Sequence, residues 1–438
     1  MVAQLIRHTL PLYTLRLYVM KKLLIIGYVW PEPNSSAAGS RMMQLINAFQ
    51  MQPYEITFAS PAQQTDHMVD LNALNIAVEN INLNCTSFDD FIIKLAPDAV
   101  MFDRFMMEEQ FGWRVSEHCP QALRILDTED LFCLRHARHQ AYKENRSITD
   151  ENLLTSELAK REVAAIFRSD ISLMISSIEI ELLQRLFKVD AKLLHYCPFM
   201  LNEAQLTQEN PHYQQRQDFM VIGNFRHAPN WDAVLWLKQQ IWPLIRKQLP
   251  NAVLNIYGAY PPPKATDLHD EKSGFLVKGW IDDAVLAMQS AKVCLAPLRF
   301  GAGMKGKLAE AMYCATPSVT TDIGAESMQT ELPWAGVIAN DPQAIADAAV
   351  KLYQEQSLWK TASDLGPKNA QIMYQQERVD RALSQCIRHL TNNLTSHRQA
   401  NFIGSMLNHH HHKSTQYMSQ WIDVKTQLKV IVEGEDKQ

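Results

Sequence analysis

The chain of 438 residues is long enough for two or three domains of ordinary size. Its hydrophobic fraction of 47% and charged fraction of 20% are typical of a soluble globular protein. The net charge of −5 disfavours a general nucleic-acid-binding protein, which carries a basic surplus. Seven scattered cysteines without a Cys-x-x-Cys pair predict reduced cytosolic thiols, and they disfavour a disulfide framework or a structural zinc site.

Residues 1–20 mix leucines with Arg7 and Arg16 and lack the small residues of a signal-peptide cleavage site. We interpret them as an N-terminal extension, with Met20 as the alternative start. No apolar run reaches the ~18–20 residues that cross a bilayer. The sequence therefore predicts a cytoplasmic protein. The basic residues Arg16, Lys21 and Lys22 leave open a peripheral contact with the inner face of a membrane.

The first half of the chain alternates short apolar runs with helix-like segments. The predicted strands are residues 22–28, 54–60, 98–104, 122–127, 171–177 and 192–198. The stretch 41–51 is predicted to be helical. Short apolar strands separated by helices indicate a parallel sheet that is covered on both faces.

After a polar, Gln-rich stretch at 203–217, the alternation restarts. The second set of predicted strands is 218–225, 253–257, 275–278, 293–298 and 318–321. Helices are predicted at 343–353 and 379–393, and the polar tail from 395 is left without a predicted element. The pattern favours two successive doubly wound α/β units, in which ligands bind at the carboxyl ends of the strands.

Two loops in these positions can bind an anion. In residues 30–40, small residues up to Gly39 leave backbone N–H groups open at a helix start, although a capped turn explains them equally well. The loop lacks Gly-x-Gly-x-x-Gly, which disfavours NAD or FAD. In residues 223–232, Arg226 can reach an anion and His227 can donate a hydrogen bond; Arg226 alone is typical of a solvent-facing loop.

The stretch 299–312 holds three glycines, two lysines and a glutamate between a predicted strand and a predicted helix. The N–H groups of a glycine-rich turn converge on a phosphate, and Lys305 and Lys307 add two positive charges. Glu310 lies one turn beyond Lys307 and suits sugar hydroxyls rather than phosphate. A nucleotide, with pyrophosphate and ribose, fits all three residue types. An i,i+3 ion pair explains Lys307 and Glu310 but not the glycines.

A dense polar cluster follows the predicted strand 122–127. Its acidic members are Asp127, Glu129 and Asp130, and its basic members are Arg135, His136 and Arg138. Carboxylates and a histidine can orient or deprotonate a hydroxyl group. The same residues also suit a helix N-terminus whose acidic side chains match the helix dipole.

Four motifs occur in a fixed order in the second half of the chain. They are Gly223…Pro229-Asn230-x-Asp232-Ala233, Gly279-Trp280-Ile281-Asp282-Asp283, Ala296-Pro297-Leu298-x-x-Gly-x-Gly-x-Lys-x-Lys-x-x-Glu310-Ala311-Met312, and Pro317…Thr321-x-Ile323-Gly324-Ala325-Glu326. This order resembles the C-terminal half of the family four (group 1) glycosyltransferases of the GT-B fold. The resemblance covers residues 21–390 and is most specific at 293–326.

The resemblance implies two Rossmann-like α/β domains whose parallel sheets face each other across a cleft. Residues 21–200 would form the acceptor domain and 201–376 the nucleotide-sugar-binding domain. Residues 377–394 would form a crossover helix, and 395–438 a polar tail. Members transfer a sugar from a UDP-, GDP- or dTDP-linked donor with retention of configuration, generally without a metal or another cofactor. The absence of a convincing Asp-x-Asp agrees with this.

The family's donor site maps onto residues of both halves of this chain. The implied donor-binding residues are Gly39, Gly223, Asn224, Arg226, Gly301, Gly303, Met304, Lys305, Lys307 and Glu310. Two departures stand out. Ala302 replaces the first of two glutamates eight residues apart, and Asn224 and Asn230 replace an arginine and a lysine. Lys305 and Lys307 are expected to supply the missing positive charge and to stabilise the leaving diphosphate.

On the acceptor side, the resemblance implies catalytic roles for Asp127 and Glu129, beside Lys305 and Lys307. Glu129 is the first candidate for contact with the donor sugar or the acceptor hydroxyl. Asp130, Arg135 and His136 are assigned to the acceptor side. The acceptor would be a glycan, a lipid-linked or a protein hydroxyl group, in cell-surface glycan biosynthesis, and no nucleic-acid partner is expected.

Two other functions remain open from the sequence. One is another GT-B enzyme, such as a nucleotide-sugar epimerase, which binds the same donor without an acceptor. The other is a binding or scaffolding protein that has kept the fold and lost turnover. Ala302 favours the scaffold, whereas the presence of Lys305, Lys307 and Glu310 together disfavours it.

Overall fold

The computed structural model describes residues 20–435, so that residues 1–19 of the predicted extension lie outside the described range. The described residues form two parallel sheets, each covered by helices on both faces. The fold predicted from the sequence, a GT-B architecture of two Rossmann-like α/β domains followed by a helical C-terminal region, is confirmed.

The first sheet consists of seven parallel strands in the order β3-β2-β1-β4-β5-β6-β7. The strands are β1 (Lys21–Ile26), β2 (Tyr54–Ser60), β3 (Ala77–Asn80), β4 (Ala99–Asp103), β5 (Leu123–Asp127), β6 (Ile171–Met174) and β7 (Leu194–Tyr196). Successive residues of β1 point to opposite faces, so that Leu24 and Ile26 enter one core and Leu23 and Ile25 the other. Both faces are buried, which explains the continuous apolar run.

Seven helices connect and flank these strands. They are α1 (Ala37–Gln50), α2 (Ser87–Leu95), α3 (Arg104–His118), α4 (Phe132–Lys143), α5 (Asp150–Leu154), α6 (Glu157–Arg168) and α7 (Ser177–Phe187). Ser36, Ser156 and Ser176 cap α1, α6 and α7 through their hydroxyl oxygens, each of which accepts from a backbone N–H of the first turn.

The second sheet has six parallel strands in the order β10-β9-β8-β11-β12-β13. They are β8 (Gln217–Ile222), β9 (Leu254–Tyr257), β10 (Phe275–Gly279), β11 (Ala291–Ala296), β12 (Ser318–Thr320) and β13 (Gly336–Ile338). The helices are α8 (Glu203–Thr207), α9 (Ala228–Trp236), α10 (Trp242–Gln248), α11 (Pro263–Thr266), α12 (Ala284–Ser290), α13 (Gly306–Tyr313), α14 (Asp322–Ala325), α15 (Pro342–Gln354) and α16 (Gln356–Tyr374). A π-helical segment, Leu237–Ile241, joins α9 to α10.

The last two helices return to the first domain. Helix α17 (Gln376–Gln399) buries Val379, Leu383, Ile387 and Leu390 in the core beneath the first sheet. Helix α18 (Phe402–Glu435) packs on α3 and α6. The sequence left the tail from 395 without an element, whereas the structure continues α17 to Gln399 and forms a long helix after it.

Hydrogen bonds from polar side chains help to seat α18 on the first domain. Arg114 of α3 donates a hydrogen bond to the Ser419 hydroxyl (3.1 Å), and Gln416 donates to Glu117 (3.0 Å). Near the helix start, the Asn401 amide donates to the carbonyl of Phe167 (2.8 Å). These polar side chains carry no apolar pattern that would predict a docked helix from the sequence.

We expect Leu383→Ala to lower the free energy of unfolding of the first domain by about 2–5 kcal/mol, because it removes a fully buried side chain of α17 from that core. Urea denaturation measures the change. The exposed neighbour Gln385 provides the control, and Gln385→Ala is expected to change stability by less than about 0.5 kcal/mol. Equal effects of the two substitutions would contradict the packing of α17 in the first domain.

Candidate functional site

A cavity of about 840 Å³ lies between the two domains and is lined by loops from both. This volume is within the usual range for small-molecule sites. The predicted residues that line it are Glu129, Asp130, Arg135, Gly223, Asn224, Arg226, Gly301, Gly303, Met304, Lys305, Lys307 and Glu310. Most of the predicted site residues therefore meet in one place, at the carboxyl ends of the strands.

The loop between β11 and α13 forms one wall of the cavity. Gly301 has φ +153° and Gly303 has φ +63°, conformations that favour glycine. A Cβ at Gly303 would lie 2.7 Å from the Cβ of Asp130, so that only a glycine lets this loop meet the first domain. Lys305 donates from Nζ to the carbonyl groups of Ala302 and Gly303, which folds its ammonium group back over the loop.

Lys307 is held at the cavity by Asn230. Its Nζ donates to Asn230 Oδ1 (2.8 Å), and Asn230 Nδ2 donates to the carbonyl of Asn224 (3.0 Å). A Cβ at Gly223 would lie 2.7 Å from Lys307 Nζ, so that this glycine leaves room for the ammonium group. The neutral asparagine that replaces a family lysine thus positions a lysine supplied by α13.

The two lysines and Glu310 are desolvated. Burial lowers the pKa of Lys307 to about 8, although Cys294 and Glu310 oppose the shift. Burial also lowers the pKa of Lys305. Burial raises the pKa of Glu310 to about 7, against the pull of Lys307. Charges that lose water in this way interact strongly with a ligand that replaces it.

Three carboxylates, Asp103, Asp127 and Glu129, lie at the carboxyl ends of β4 and β5, with oxygen atoms within 4.8 Å of one another. Arg41 pairs with Asp127 (Nη2–Oδ1 2.8 Å), and Arg104 faces Asp103 at 3.7 Å. Two guanidinium groups leave one negative charge uncompensated. A proton on one of the carboxyl groups restores the balance.

Glu129 is the member of this acidic cluster that faces the cavity. Its φ of +57° is uncommon for a residue with a side chain, and such conformations concentrate at functional sites. Its Oε1 is buried and has no hydrogen-bond partner among the described residues. Burial and the neighbouring Asp127 raise the pKa of Glu129, and the guanidinium groups of Arg41 and Arg104 offset the rise only in part.

Asp130 and Arg135 form an ion pair at the cavity wall (Oδ2–Nε 2.9 Å), and the Arg135 guanidinium group lies over the ring of Phe132 at 3.9 Å. His227, from the first loop of the second domain, also lines the cavity. Burial and the positive charge of Arg135 lower the pKa of His227 to about 4, so that the imidazole is neutral near pH 7.

Three predicted site residues lie outside the cavity lining. Gly39 sits in α1 where a Cβ would meet the carbonyl of Glu32 at 2.3 Å, so that it serves the close packing of the loop on the helix. Asp127 is fully buried and paired with Arg41. His136 is on the exposed side of α4, because the helical turn that brings Arg135 to the cavity points the next residue away.

The sequence interpretation missed several cavity residues. Arg104, with φ +68°, lies over the ring of Tyr28 at 5.1 Å, and both line the cavity. The sequence feature that could have indicated Arg104 is its position next to Asp103, as a charged pair at the end of a predicted strand. Residues 280–285 follow β10 and also line the cavity. Residues 280–283 belonged to a recognised motif but had no assigned role.

Residues 216–355 match the family described as Glycosyl transferases group 1. This region contains the first loop of the second domain, the glycine-rich loop and α13. The resemblance drawn from the sequence motifs is therefore confirmed. No curated protein matches the sequence.

Solved glycosyltransferase structures share the fold over nearly their whole length. Sucrose-phosphate synthase from Thermosynechococcus elongatus is 17% identical, with a TM-score of 0.62 over 84% of this chain and 99% of that one. Anabaena HepE, solved with UDP and glucose, is 12% identical, with a TM-score of 0.62 over 84% and 99%. A variant of S. aureus TarM, solved with Fondaparinux, alpha-GlcNAc-glycerol and UDP, is 12% identical, with a TM-score of 0.64 over 84% and 99%.

The raised pKa of Glu129 makes stability depend on pH. The folded state keeps a proton that the unfolded chain releases near pH 4.5, so that stability is full below that value and falls as pH rises through the higher folded pKa. We expect Glu129→Gln to flatten this fall. Melting temperatures between pH 5 and 8 test it, with Glu181→Gln, an exposed glutamate, as the control. An unchanged slope would place the proton elsewhere.

Proposed function

We propose that this glycosyltransferase moves a sugar from a nucleoside-diphosphate donor to an acceptor hydroxyl group, with retention of anomeric configuration. The observation that carries the proposal is the convergence of Lys305, Lys307 and Glu310 with the loop Gly301–Gly303 on a single cavity between the two sheets. The lysines and the loop can bind a diphosphate, and the carboxylate can accept hydrogen bonds from a ribose.

The donor's diphosphate lies against the glycine-rich loop and the start of α13 in this proposal. Lys307, held in place by Asn230, meets the phosphate oxygens as negative charge develops on the leaving group. Lys305 fixes the loop and adds a second positive charge. Glu310 accepts from the ribose hydroxyl groups. The UDP complexes of HepE and TarM make UDP-sugars the first donors to test.

The first domain supplies the acceptor side of the cavity. Glu129 faces the cavity with an oxygen that lacks a partner among the described residues, and Asp130 and Arg135 lie beside it. In the reaction, the bond from the anomeric carbon to the diphosphate oxygen breaks on the same face on which the acceptor oxygen attaches. The acceptor proton passes to the leaving diphosphate oxygen. Asp127 acts indirectly, because its pair with Arg41 supports the turn that carries Glu129.

Substitution of the two lysines tests the proposed donor site. We expect Lys307→Ala to lower kcat by about 10²–10³, since it removes a charge that stabilises the leaving diphosphate, and to weaken ground-state binding less. Lys305→Ala is expected to act in the same direction. Initial rates of nucleoside diphosphate release from a set of nucleotide sugars, at varied donor concentration, measure the effect.

Lys351, an exposed lysine of α15, is the matched control. Lys351→Ala is expected to leave both parameters unchanged. If Lys307→Ala raised KM and left kcat unchanged, the lysine would anchor the ground state only. Full activity in Lys307→Ala would remove Lys307 from the site.

The same assay separates the alternatives. An epimerase converts the nucleotide sugar without an acceptor and without net release of nucleoside diphosphate, and a scaffold binds nucleotide without turnover. We favour the transferase, because the cavity is lined from both domains and therefore has room for an acceptor beside the donor. Proton NMR of the first product gives its anomeric configuration, and retention is expected.

The proposal extends to the acceptor and to the cellular location of the protein. A glycan, lipid-linked or protein hydroxyl group is the expected acceptor, in cell-surface polysaccharide biosynthesis. The seven cysteines are all free thiols, which supports a reducing, cytoplasmic setting. Among residues 20–435, none of the helices combines the length and the apolar character that a membrane span requires.

Helix α18 supports a peripheral contact with an anionic membrane. Four apolar residues at helical spacing are more than half exposed: Tyr417 (64%), Trp421 (59%), Val424 (54%) and Leu428 (57%). They lie on the side opposite Ser419, which faces the domain. Lys425 and Lys429 are exposed beside this stripe, and their charge favours anionic headgroups over a second copy of the same helix.

We expect the double substitution Trp421→Ser and Leu428→Ser to weaken binding to vesicles of phosphatidylglycerol and phosphatidylcholine by about tenfold or more, because it removes two large apolar side chains from the stripe. Cosedimentation measures the change, with Gln420→Ser as the control. Equal binding by both variants would contradict the assignment. A wild-type dimer that the double substitution dissociates would identify a second copy as the occupant.

A further inference from the structure

The backbone of the glycine-rich loop is bound from the first domain on both sides. Arg138 of α4 donates from Nη1 to the carbonyl of Gly301 (2.8 Å). Glu179 of α7 accepts from the N–H of Gly303 at Oε1 (2.6 Å). A guanidinium group therefore holds one end of this donor-side loop and a carboxyl group holds the other, and both come from the opposite domain.

Arg138 makes a second contact across the domain boundary. Its guanidinium group forms a bidentate pair with Glu326, with N–O distances of 2.6 and 2.7 Å. Both side chains are largely buried. Because the Arg138 guanidinium group is paired and shielded from water, its orientation is fixed, and its Nη1 is held in position to donate to the carbonyl of Gly301.

Glu179 connects the loop to the turn that carries Glu129. Its second oxygen, Oε2, accepts from the N–H of Leu131 (3.2 Å), and the side chain is 1% exposed. Ser176, which caps the same helix, hydrogen-bonds the hydroxyl of Ser327 in the second domain (2.7 Å). One buried carboxylate thus joins the acceptor-side turn and the donor-side loop.

Lys305 Nζ binds the carbonyl groups of Ala302 and Gly303 from within the loop, and the positions of Gly301 and Gly303 depend on the contacts from the first domain as well. Gly301 and Gly303 carry no side chains and adopt conformations that cost glycine nothing. Such a segment samples many conformations unless outside contacts restrain it. The contacts that restrain its two ends exist only while the domains are closed on each other.

We propose that Glu179 and Arg138 are positioning residues that couple closure of the two domains to assembly of the donor site. The inference rests on the proposed function, because it assigns the loop to the donor. In the open state, α13 still offers Lys307 and Glu310 to the nucleotide. The loop reaches its binding geometry only after the domains close, which also brings Glu129 to the donor side of the cavity. Transfer is thereby confined to the state in which both halves of the site are present.

Glu162 provides a matched control. It is also a buried carboxylate, and it accepts from the N–H groups of Phe132 and Cys133, both at 2.8 Å. Its two bonds stay within the first domain and reach no atom of the glycine-rich loop. Each of these Glu→Gln substitutions replaces one of the two acceptor oxygens by an NH2 group, and only at Glu179 does one of the two accepted N–H groups belong to the glycine-rich loop.

The experiment compares the wild type, Glu179→Gln and Glu162→Gln in nucleoside diphosphate affinity, in kcat for donor turnover and in radius of gyration by small-angle X-ray scattering. We expect Glu179→Gln to keep the nucleotide affinity within about threefold, to lose about 10- to 100-fold in kcat and to have a larger radius of gyration. Arg138→Lys, which keeps the charge without the fork, is expected to show the same pattern. Glu162→Gln is expected to lower the melting temperature and to leave kcat and radius near the wild-type values.

Equal losses of kcat in Glu179→Gln and Glu162→Gln would overturn the inference, as would an unchanged kcat and radius in Glu179→Gln. Failure of the proposed function looks different, because the wild type would then bind no nucleoside diphosphate. The scattering comparison decides the coupling of Glu179 to closure in that case too, since it requires no ligand.

Discussion

Burial of charge between the two sheets is the constraint on which the rest of the structure depends. A buried ionic group is tolerated only if a partner of opposite charge or several hydrogen bonds compensate for its lost water. Arg41 forms an ion pair with Asp127, and Glu179 accepts hydrogen bonds from backbone N–H groups of both domains. Lys307 is held by Asn230 through a single bond, and Glu129 keeps one oxygen without a partner among the described residues. Lys307 and Glu129 both face the cavity, where in the proposed reaction Lys307 meets the phosphate oxygens and Glu129 meets a hydroxyl group.

The sequence predicted the buried parts of the fold well, because strands covered on both faces read as apolar runs. Two of the four edge strands were missed: β3 contains polar residues and β13 has three residues, so neither produces an apolar run. Helix α16 was missed because Gly366 and Pro367 look like a helix end. In the structure, the missing Cβ at Gly366 lets the helix approach the carbonyl of Met312. Helix α18 was missed because polar contacts seat it on the first domain.

The site residues that lie in one short segment of the sequence could be predicted. Those that reach the site from a distant part of the chain could not. Gly303, Lys307 and Glu310 share a loop and a helix start, so their chemistry is visible in fourteen residues. Glu179 lies 124 residues from the loop it binds, in a helix with other glutamates, and nothing in its neighbourhood marks it. The neutral Asn230 seemed a loss of charge until the structure showed that it positions Lys307.

The central claim is that this cavity binds a nucleoside diphosphate. The most direct measurement is a thermal-shift screen of the wild type against UDP, GDP, dTDP, CMP, ADP and NAD at millimolar concentration, with EDTA present. A nucleotide at a hundredfold excess over its dissociation constant stabilises the folded state by about 3 kcal/mol. The account predicts a rise in melting temperature with one nucleoside diphosphate. A rise with NAD alone, or with none of the six, would contradict it.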